Sequence, residues 1–240
     1  MAGDQYLPSL ALLAGGLATR LYPITEKIPK SMLLIAGEPF IAHQLRQIRA
    51  KGVRKVVLCV GYLGEQVRDF VGNGAAFGLE VDYSQDGDVR LGTGGALKKA
   101  LPKLGDAFLV MYGDSYLPTA FAPVADFFRA SQRQALMTVY HNAGLWDQSN
   151  VVFKDGQILA YDKNNKTPEM THIDYGLGAF RASAFDAYAD NVVLDLADVY
   201  RDLLSARQLA GYEVRERFYE IGSFAGMRET DTFLKNRRGL

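Results

Sequence analysis

LLAGGLATRLYPITEKIPK, residues Leu12 to Lys30, decides how this chain is read. The apolar run SLALLAGG ends in Gly15 and Gly16, and Thr19 and Arg20 follow. Lys30 stands ten residues beyond Arg20, with Pro23 and Pro29 holding the intervening backbone out of a long helix. A strand that runs into glycines and then delivers two cations suits the gripping of a polyphosphate. Backbone N–H groups approach the oxygens where no Cβ intervenes, while arginine and lysine neutralise the charge. An ordinary strand-to-helix connection with surface cations is the plainer alternative. Neither common phosphate fingerprint is present. No Walker string occurs, and the glycines at 72, 74 and 78 miss the G-x-G-x-x-G spacing by one residue.

Outward from this stretch the first half alternates strand and helix patterns. Residues 9–14 read as a buried strand, 31–37 as a short apolar segment that could be a second, and 39–52 as a helix closed by Gly52. Strand 54–61, helix 63–74, strand 79–84, a helix beginning at 94 and strand 107–114 follow. The succession predicts an α/β fold with a mostly parallel central sheet flanked by helices. From about residue 135 the texture turns β-rich, with Lys154-Asp155-Gly156-Gln157 as a hairpin turn. Helical patterns return at 183–189, 196–210 and near 223–236. No linker divides the chain, so 1–240 is expected to form one domain, with lobes of about 1–134 and 135–240.

Composition narrows the function. Lys+Arg and Asp+Glu both number 27, so no excess of either sign argues for nucleic acid or an anionic membrane as partner. The single cysteine, Cys59, sits in an apolar strand and is expected to be buried, which fits a reducing compartment. The segment MAGDQYLPS lacks the features of a signal peptide, and no apolar run approaches a membrane span. A soluble, cytoplasmic protein is expected.

Leu13, Ala14, Gly15, Gly16, Thr19, Arg20, Leu21, Pro23, Thr25, Pro29 and Lys30 match, in spacing, the signature L-A-G-G-x-G-T-R-L-x-P-x-T-x-x-x-P-K. The segment thus resembles the sugar-1-phosphate nucleotidyltransferases, and departs from their pattern at Ala18, where glycine is usual. The resemblance implies a Rossmann-like, GT-A-like sheet with a β-rich sugar-binding lobe. It also implies transfer of a nucleoside monophosphate from an NTP to a sugar 1-phosphate, with Mg²⁺ as cofactor. Length and the strings GTGGAL and GDSY look most like heptose- or mannose-type guanylyltransferases, so GTP is favoured. Uridylyltransferases on amino-sugar 1-phosphates, cytidylyltransferases on small phosphate esters and a non-catalytic nucleotide-sugar sensor remain as alternatives. Oligomeric state is not readable.

Four further segments carry candidate residues. Gly92, Thr93, Gly94 and Gly95 read as a flexible loop before a helix; by the resemblance it lies against the base, with Gln85 as a possible base contact. Asp114 ends an apolar strand, where a carboxylate is costly unless paired or bound to metal, and Gly113-Asp114 matches the family's metal-binding Gly-Asp pair. Glu220 corresponds to the family's second metal ligand, an aspartate there. Asp162 and Lys163 resemble the acid and lysine that hold the sugar and its phosphate, and Asn150 and Gly176 match other sugar contacts. Arg20 would hold the β- and γ-phosphates, Lys30 the α-phosphoryl group and Lys163 the sugar phosphate.

Overall fold

The computed structural model describes residues 7–16, 19–87 and 89–238, the side chain of 238 excepted. Ala18, the departure from the signature, lies outside the described residues, as do residues 1–6. Strand β1 (Leu10–Leu13) leads through short 3-10 turns to a two-strand hairpin, β2 (Leu34–Ile35) and β3 (Glu38–Pro39), and then to helix α1 (Phe40–Ala50). Strand β4 (Lys55–Val60), helix α2 (Gly64–Val71), strand β5 (Glu80–Gln85), helix α3 (Gly92–Leu104) and strand β6 (Ala107–Tyr112) complete the alternation.

Strand β7 (Ser115–Tyr116) and helix α4 (Ala122–Ser131) precede four longer strands: β8 (Ala135–His141), β9 (Val151–Lys154), β10 (Gln157–Tyr161) and β11 (His172–Arg181). The chain closes with α5 (Leu196–Ser205), β12 (Leu209–Val214), β13 (Tyr219–Glu220) and α6 (Phe224–Arg238).

One nine-stranded sheet runs in the order β10-β9-β11-β6-β1-β4-β5, with β8 beside β11 and β12 beside β8. Strands β6, β1, β4 and β5 are parallel; β11 turns the sheet antiparallel against β6 and β8. Alternation divides the core. Leu10, Leu12, Val56 and Leu58 pack against apolar residues of α1, α2 and α4, while Ala11, Val57 and Cys59 meet those of α3 and α5. Both faces are therefore covered, as a parallel sheet requires. Cys59 is buried, as its strand context predicts. Among the described residues no helix is long and apolar enough to cross a membrane.

Three segments differ from the sequence reading. Within 31–37 only Leu34–Ile35 is extended, and it pairs with β3 apart from the main sheet; Lys30–Met32 forms a 3-10 turn, and Ala36 (φ 49°) and Gly37 (φ 85°) fold the chain back. The pattern at 196–210 is helical only to Ser205; Arg207 at φ 57° leaves the helix and β12 pairs parallel with β8. Gly211 makes that strand possible, because a Cβ there would sit 2.7 Å from the Phe153 ring. The glycines at 92–95 are not a loop but the first turn of α3. They pack on the segment before α5: a Cβ on Gly95 would lie 2.4 Å from Val192 O, and one on Gly94 2.8 Å from Leu194 Cγ. The hairpin at 154–157 forms as expected, with Asp155 (φ 51°) and Gly156 (φ 76°) both left-handed.

Candidate active site

The chain leaves β1 for β4 and β5 on one side and returns to β6 on the other, so the strand order reverses between β1 and β6. Loops at the carboxyl ends of such neighbours diverge and leave a crevice. A cleft of about 320 Å³ opens there, lined by Leu13, Ala14, Gly15, Gly16, Lys30, Gly92, Thr93 and Asp114 among others. The loops meet with little room. A Cβ on Gly113 would lie 2.6 Å from Leu13 O, and one on Gly15 3.0 Å from the amide nitrogen of Gly61. Gly16 instead faces open space, with nothing within 4 Å of where its Cβ would be.

Lys30 and Asp114 join the two loops through an ion pair of 2.6 Å, and the Ser115 hydroxyl lies 3.3 Å from the other carboxylate oxygen. Burial pushes the Asp114 carboxyl up, but the Lys30 charge and hydrogen bond, with Ser115 and a backbone N–H, hold it below its usual range. The turn bearing Asp114 is braced from α1. Gln44, fully buried, donates from Nε2 to Tyr112 O (3.1 Å) and Ser115 O (2.8 Å), and Gln47 Oε1 accepts from the Leu117 N–H (3.2 Å). An amide in line with Ile41, Leu45 and Ile48 on the buried face of a helix was the available signal for this brace.

A second carboxylate arrives from the far end of the chain. Strand β13 pairs with β7 so that Glu220 lies opposite Ser115, and the Ile221 N–H donates to Asp114 O at 2.9 Å. Glu220 accepts from the Gly222 N–H and from the Ser223 hydroxyl at 2.7 Å. Gly222 marks the meeting point: a Cβ there would be 2.8 Å from Glu220 Oε2, 3.1 Å from Arg20 Nη2 and 3.5 Å from Asp114 Oδ2. The missing methyl thus leaves a space bounded by two carboxylates and a guanidinium. An all-oxygen pair of this kind fits Mg²⁺, which takes one or two carboxylates and leaves its other positions to water and phosphate. Among the described residues no group of three or more His, Cys, Asp or Glu could hold a metal ion.

The sugar-side candidates also come together. Asn150 Oδ1 accepts from the Asp174 N–H (2.9 Å), and Asn150 O accepts from the Asp162 N–H (3.0 Å). Gly176, at φ 95° where the β8–β11 register shifts, donates to Asp174 Oδ1 at 3.0 Å and faces the Tyr112 ring. Asp162 turns its carboxylate on its own loop, accepting from the Asn164 and Asn165 N–H groups at 2.7 and 3.0 Å. Those bonds pull its carboxyl down to about 2.

Lys163 lies 3.4 Å from Asp195 Oδ1, which caps α5 through the Ala197 N–H (2.9 Å) and also accepts from the Thr93 hydroxyl (3.1 Å). One carboxylate therefore ties Lys163 to the cleft-lining Thr93. Burial raises the Asp174 carboxyl above its ordinary value against the opposing effects of Lys163, the Gly176 N–H and the Tyr112 hydroxyl.

Three predicted residues sit elsewhere. Gln85 is exposed at the end of β5 and is not on the cleft wall, Gly94 is buried against Leu194, and Thr19 is exposed in a 3-10 turn. Asp86, the residue after Gln85, lines the cleft with Arg90. Neither was singled out from the sequence, because only the fold brings them to the cleft.

A sequence profile described as nucleotidyl transferase matches residues 11–145, over half of the chain. The N-acetylmuramate alpha-1-phosphate uridylyltransferase of Neisseria meningitidis serogroup B is 29% identical over 224 residues, 91% of this chain and 94% of that protein. The mannose-1-phosphate guanylyltransferase of Mycobacterium tuberculosis is 29% identical over 177 residues, 73% of this chain but 49% of its own length. A solved Bacillus anthracis structure in complex with sucrose superposes with a TM-score of 0.83 at 20% identity, covering 95% of each chain. Likeness at that identity shows the fold, while the profile shows the family. By the match over residues 11–145, the chain belongs to the nucleotidyl transferase family.

Proposed function

We propose that this protein transfers a nucleoside monophosphate from an NTP to a sugar 1-phosphate, releasing pyrophosphate, with GTP and a heptose- or mannose-type sugar 1-phosphate as substrates. The observation that carries this reading is the convergence of Arg20, Asp114 and Glu220 on Gly222 beside the Lys30–Asp114 pair. Similarity to a uridylyltransferase and a guanylyltransferase that act on sugar 1-phosphates supports the reaction class.

In this reading the NTP lies in the cleft with its phosphates toward Gly15 and Gly16, in the lobe of residues 1–134. Arg20 takes the β- and γ-phosphates and neutralises the pyrophosphate as it forms. Lys30 faces the α-phosphoryl group, and Lys163, in the lobe of 135–240, presents the acceptor phosphate. An oxygen of that phosphate bonds to the α-phosphorus, the α–β bridging P–O bond breaks, and its electron pair leaves with pyrophosphate. Such a step needs positioning and charge neutralisation more than covalent help. Asp114 and Glu220 would hold Mg²⁺, which when bound offsets phosphate charge and polarises the reacting phosphoryl group. The reaction would take place in the cytoplasm.

Pyrophosphate release measured with each of four NTPs against a panel of sugar 1-phosphates tests the proposal. Release with one pair and not the others is expected. Tight NTP binding without release from any acceptor would instead identify a nucleotide sensor.

A further inference from the structure

Arg217 is held by four partners. Nη2 donates to Glu229 on α6 at 2.8 Å, and Nε donates to Phe218 O at 3.2 Å. The guanidinium carbon lies 4.5 Å from the centre of the Tyr219 ring and 3.3 Å from that of Trp146, the single tryptophan of the chain. Tyr219, the residue before Glu220, is itself stacked on Phe233 of α6, with ring centres 3.8 Å apart and planes at 17°. Trp146, Arg217, Tyr219 and Phe233 thus touch in series, from the β8–β9 connection to the last helix. A guanidinium suits this place, because its flat face stacks on aromatic rings while its edge keeps donors for Glu229.

The connection that carries Trp146 also reaches the acceptor side. Asn142, fully buried, shapes it from within: Nδ2 donates to Asp147 O at 2.6 Å, and Oδ1 accepts from the Trp146 N–H at 3.2 Å. It then runs into Asn150, whose carbonyl accepts from the Asp162 N–H at 3.0 Å. Lys166 stands between this segment and the loop of Asp162 and Lys163. Its Nζ donates to Asp162 O at 3.3 Å, and partial desolvation lowers its ammonium against the opposing charges of Asp162 and Asp147.

From this chain of contacts we infer that Trp146 and Arg217 are positioning residues, which fix the acceptor-side loops relative to the strand that carries Glu220. The inference rests on the sugar phosphate meeting Lys163, as proposed above. Neither side chain has to touch substrate. Their stack sets how far the acceptor phosphate stands from the reacting phosphorus, and misplacement by about 1 Å can cost on the order of 100-fold in rate.

Steady-state kinetics of the whole protein test this, using GTP with mannose 1-phosphate or the faster-reacting pair among four NTPs and a panel of sugar 1-phosphates. Calorimetric binding of the matching nucleoside diphosphate, without acceptor, is measured beside them. Trp146→Ala, at a position 42% exposed, should lower kcat/KM for the sugar 1-phosphate by about 3- to 30-fold, the range of one cation–π contact. Nucleotide affinity and melting temperature should stay close to the parent's. Arg217→Lys keeps the charge but not the planar stack and should have the same effect, while Trp146→Phe should recover most of the loss. Because the two act through one contact, the double variant should be no worse than the more damaging single change. Additive losses in the double variant, equal weakening of nucleotide binding, or an unchanged kcat/KM would overturn the inference. Absence of turnover by the unaltered protein with every pair would overturn the reading on which it rests.

Discussion

Lys30 Nζ stands 2.6 Å from Asp114 Oδ2, although 84 residues separate them in the chain. The pair closes the gap between the loops after β1 and β6, and it sets the charge state of the carboxylate. Asp114 is held below its ordinary 3.8, so it stabilises the fold above that value and loses the contribution as pH falls through the lowered one. Lys30→Met should reverse the sign. With the lysine gone, burial dominates and the carboxyl rises; the variant is destabilised at neutral pH and recovers stability as the solution is acidified toward pH 4. Melting temperatures between pH 7 and 4 check this, and a profile parallel to the unaltered protein's would refute the pairing account. Turnover should fall by roughly 100- to 1,000-fold in Lys30→Met and Asp114→Asn alike.

Gly222 offers a sharper probe than any charged residue. Its backbone is not left-handed, so alanine is tolerated locally, yet the new methyl would intrude between Glu220, Arg20 and Asp114. Gly222→Ala should melt within a few degrees of the parent and lose at least about 10-fold in turnover, with a higher Mg²⁺ requirement. Mg²⁺ titration of the rate, set beside a thermal melt, separates the two effects.

Two glycines should behave in opposite ways. Gly95→Ala forces a methyl to 2.4 Å from Val192 O and should cost about 1–3 kcal/mol in denaturant unfolding. Gly16→Ala meets nothing within 4 Å, so stability should be unchanged while KM for the NTP rises. Destabilisation by Gly16→Ala would show that its loop is packed rather than open to ligand.

Gln44→Leu removes the amide that holds Tyr112 O and Ser115 O, leaving two backbone acceptors short of a partner. A loss of about 1–3 kcal/mol is expected, with a fall in kcat exceeding the change in KM, because the turn that carries Asp114 loosens. Equal kcat in variant and parent would mean that the brace is purely structural.

What the sequence made legible was local. Gly15, Gly16 and Asp114 announce themselves because a buried strand ending in glycine or aspartate is unusual within its own few residues, and Lys30 by its spacing from Arg20 across two prolines. The glycines at 92–95 were visible, but the reason for them was not: they make room for Val192 and Leu194, a hundred residues on. Strand β12 was hidden because its pairing with β8, and the Phe153 ring over Gly211, exist only in the fold. Gln44, Asp86, Asp174 and Asp195 share that limit. Each is an ordinary polar residue until another element is packed beside it.

Strand β13 has a consequence for how the site comes into being. Gly15, Lys30 and Asp114 all precede residue 116, whereas Glu220 is delivered by a two-residue ribbon just ahead of α6. Closing a loop that long adds only slowly to the entropic cost, but contacts so distant in sequence slow folding. During refolding, nucleotide affinity and turnover therefore report different events. Under the proposed function the first needs the chain as far as Val192 and Leu194, on which the first turn of α3 packs, and the second waits for the carboxyl-terminal helix to dock. A chain shortened before Tyr219 would lack the second carboxylate of the pair and the Gly222 turn that meets Arg20.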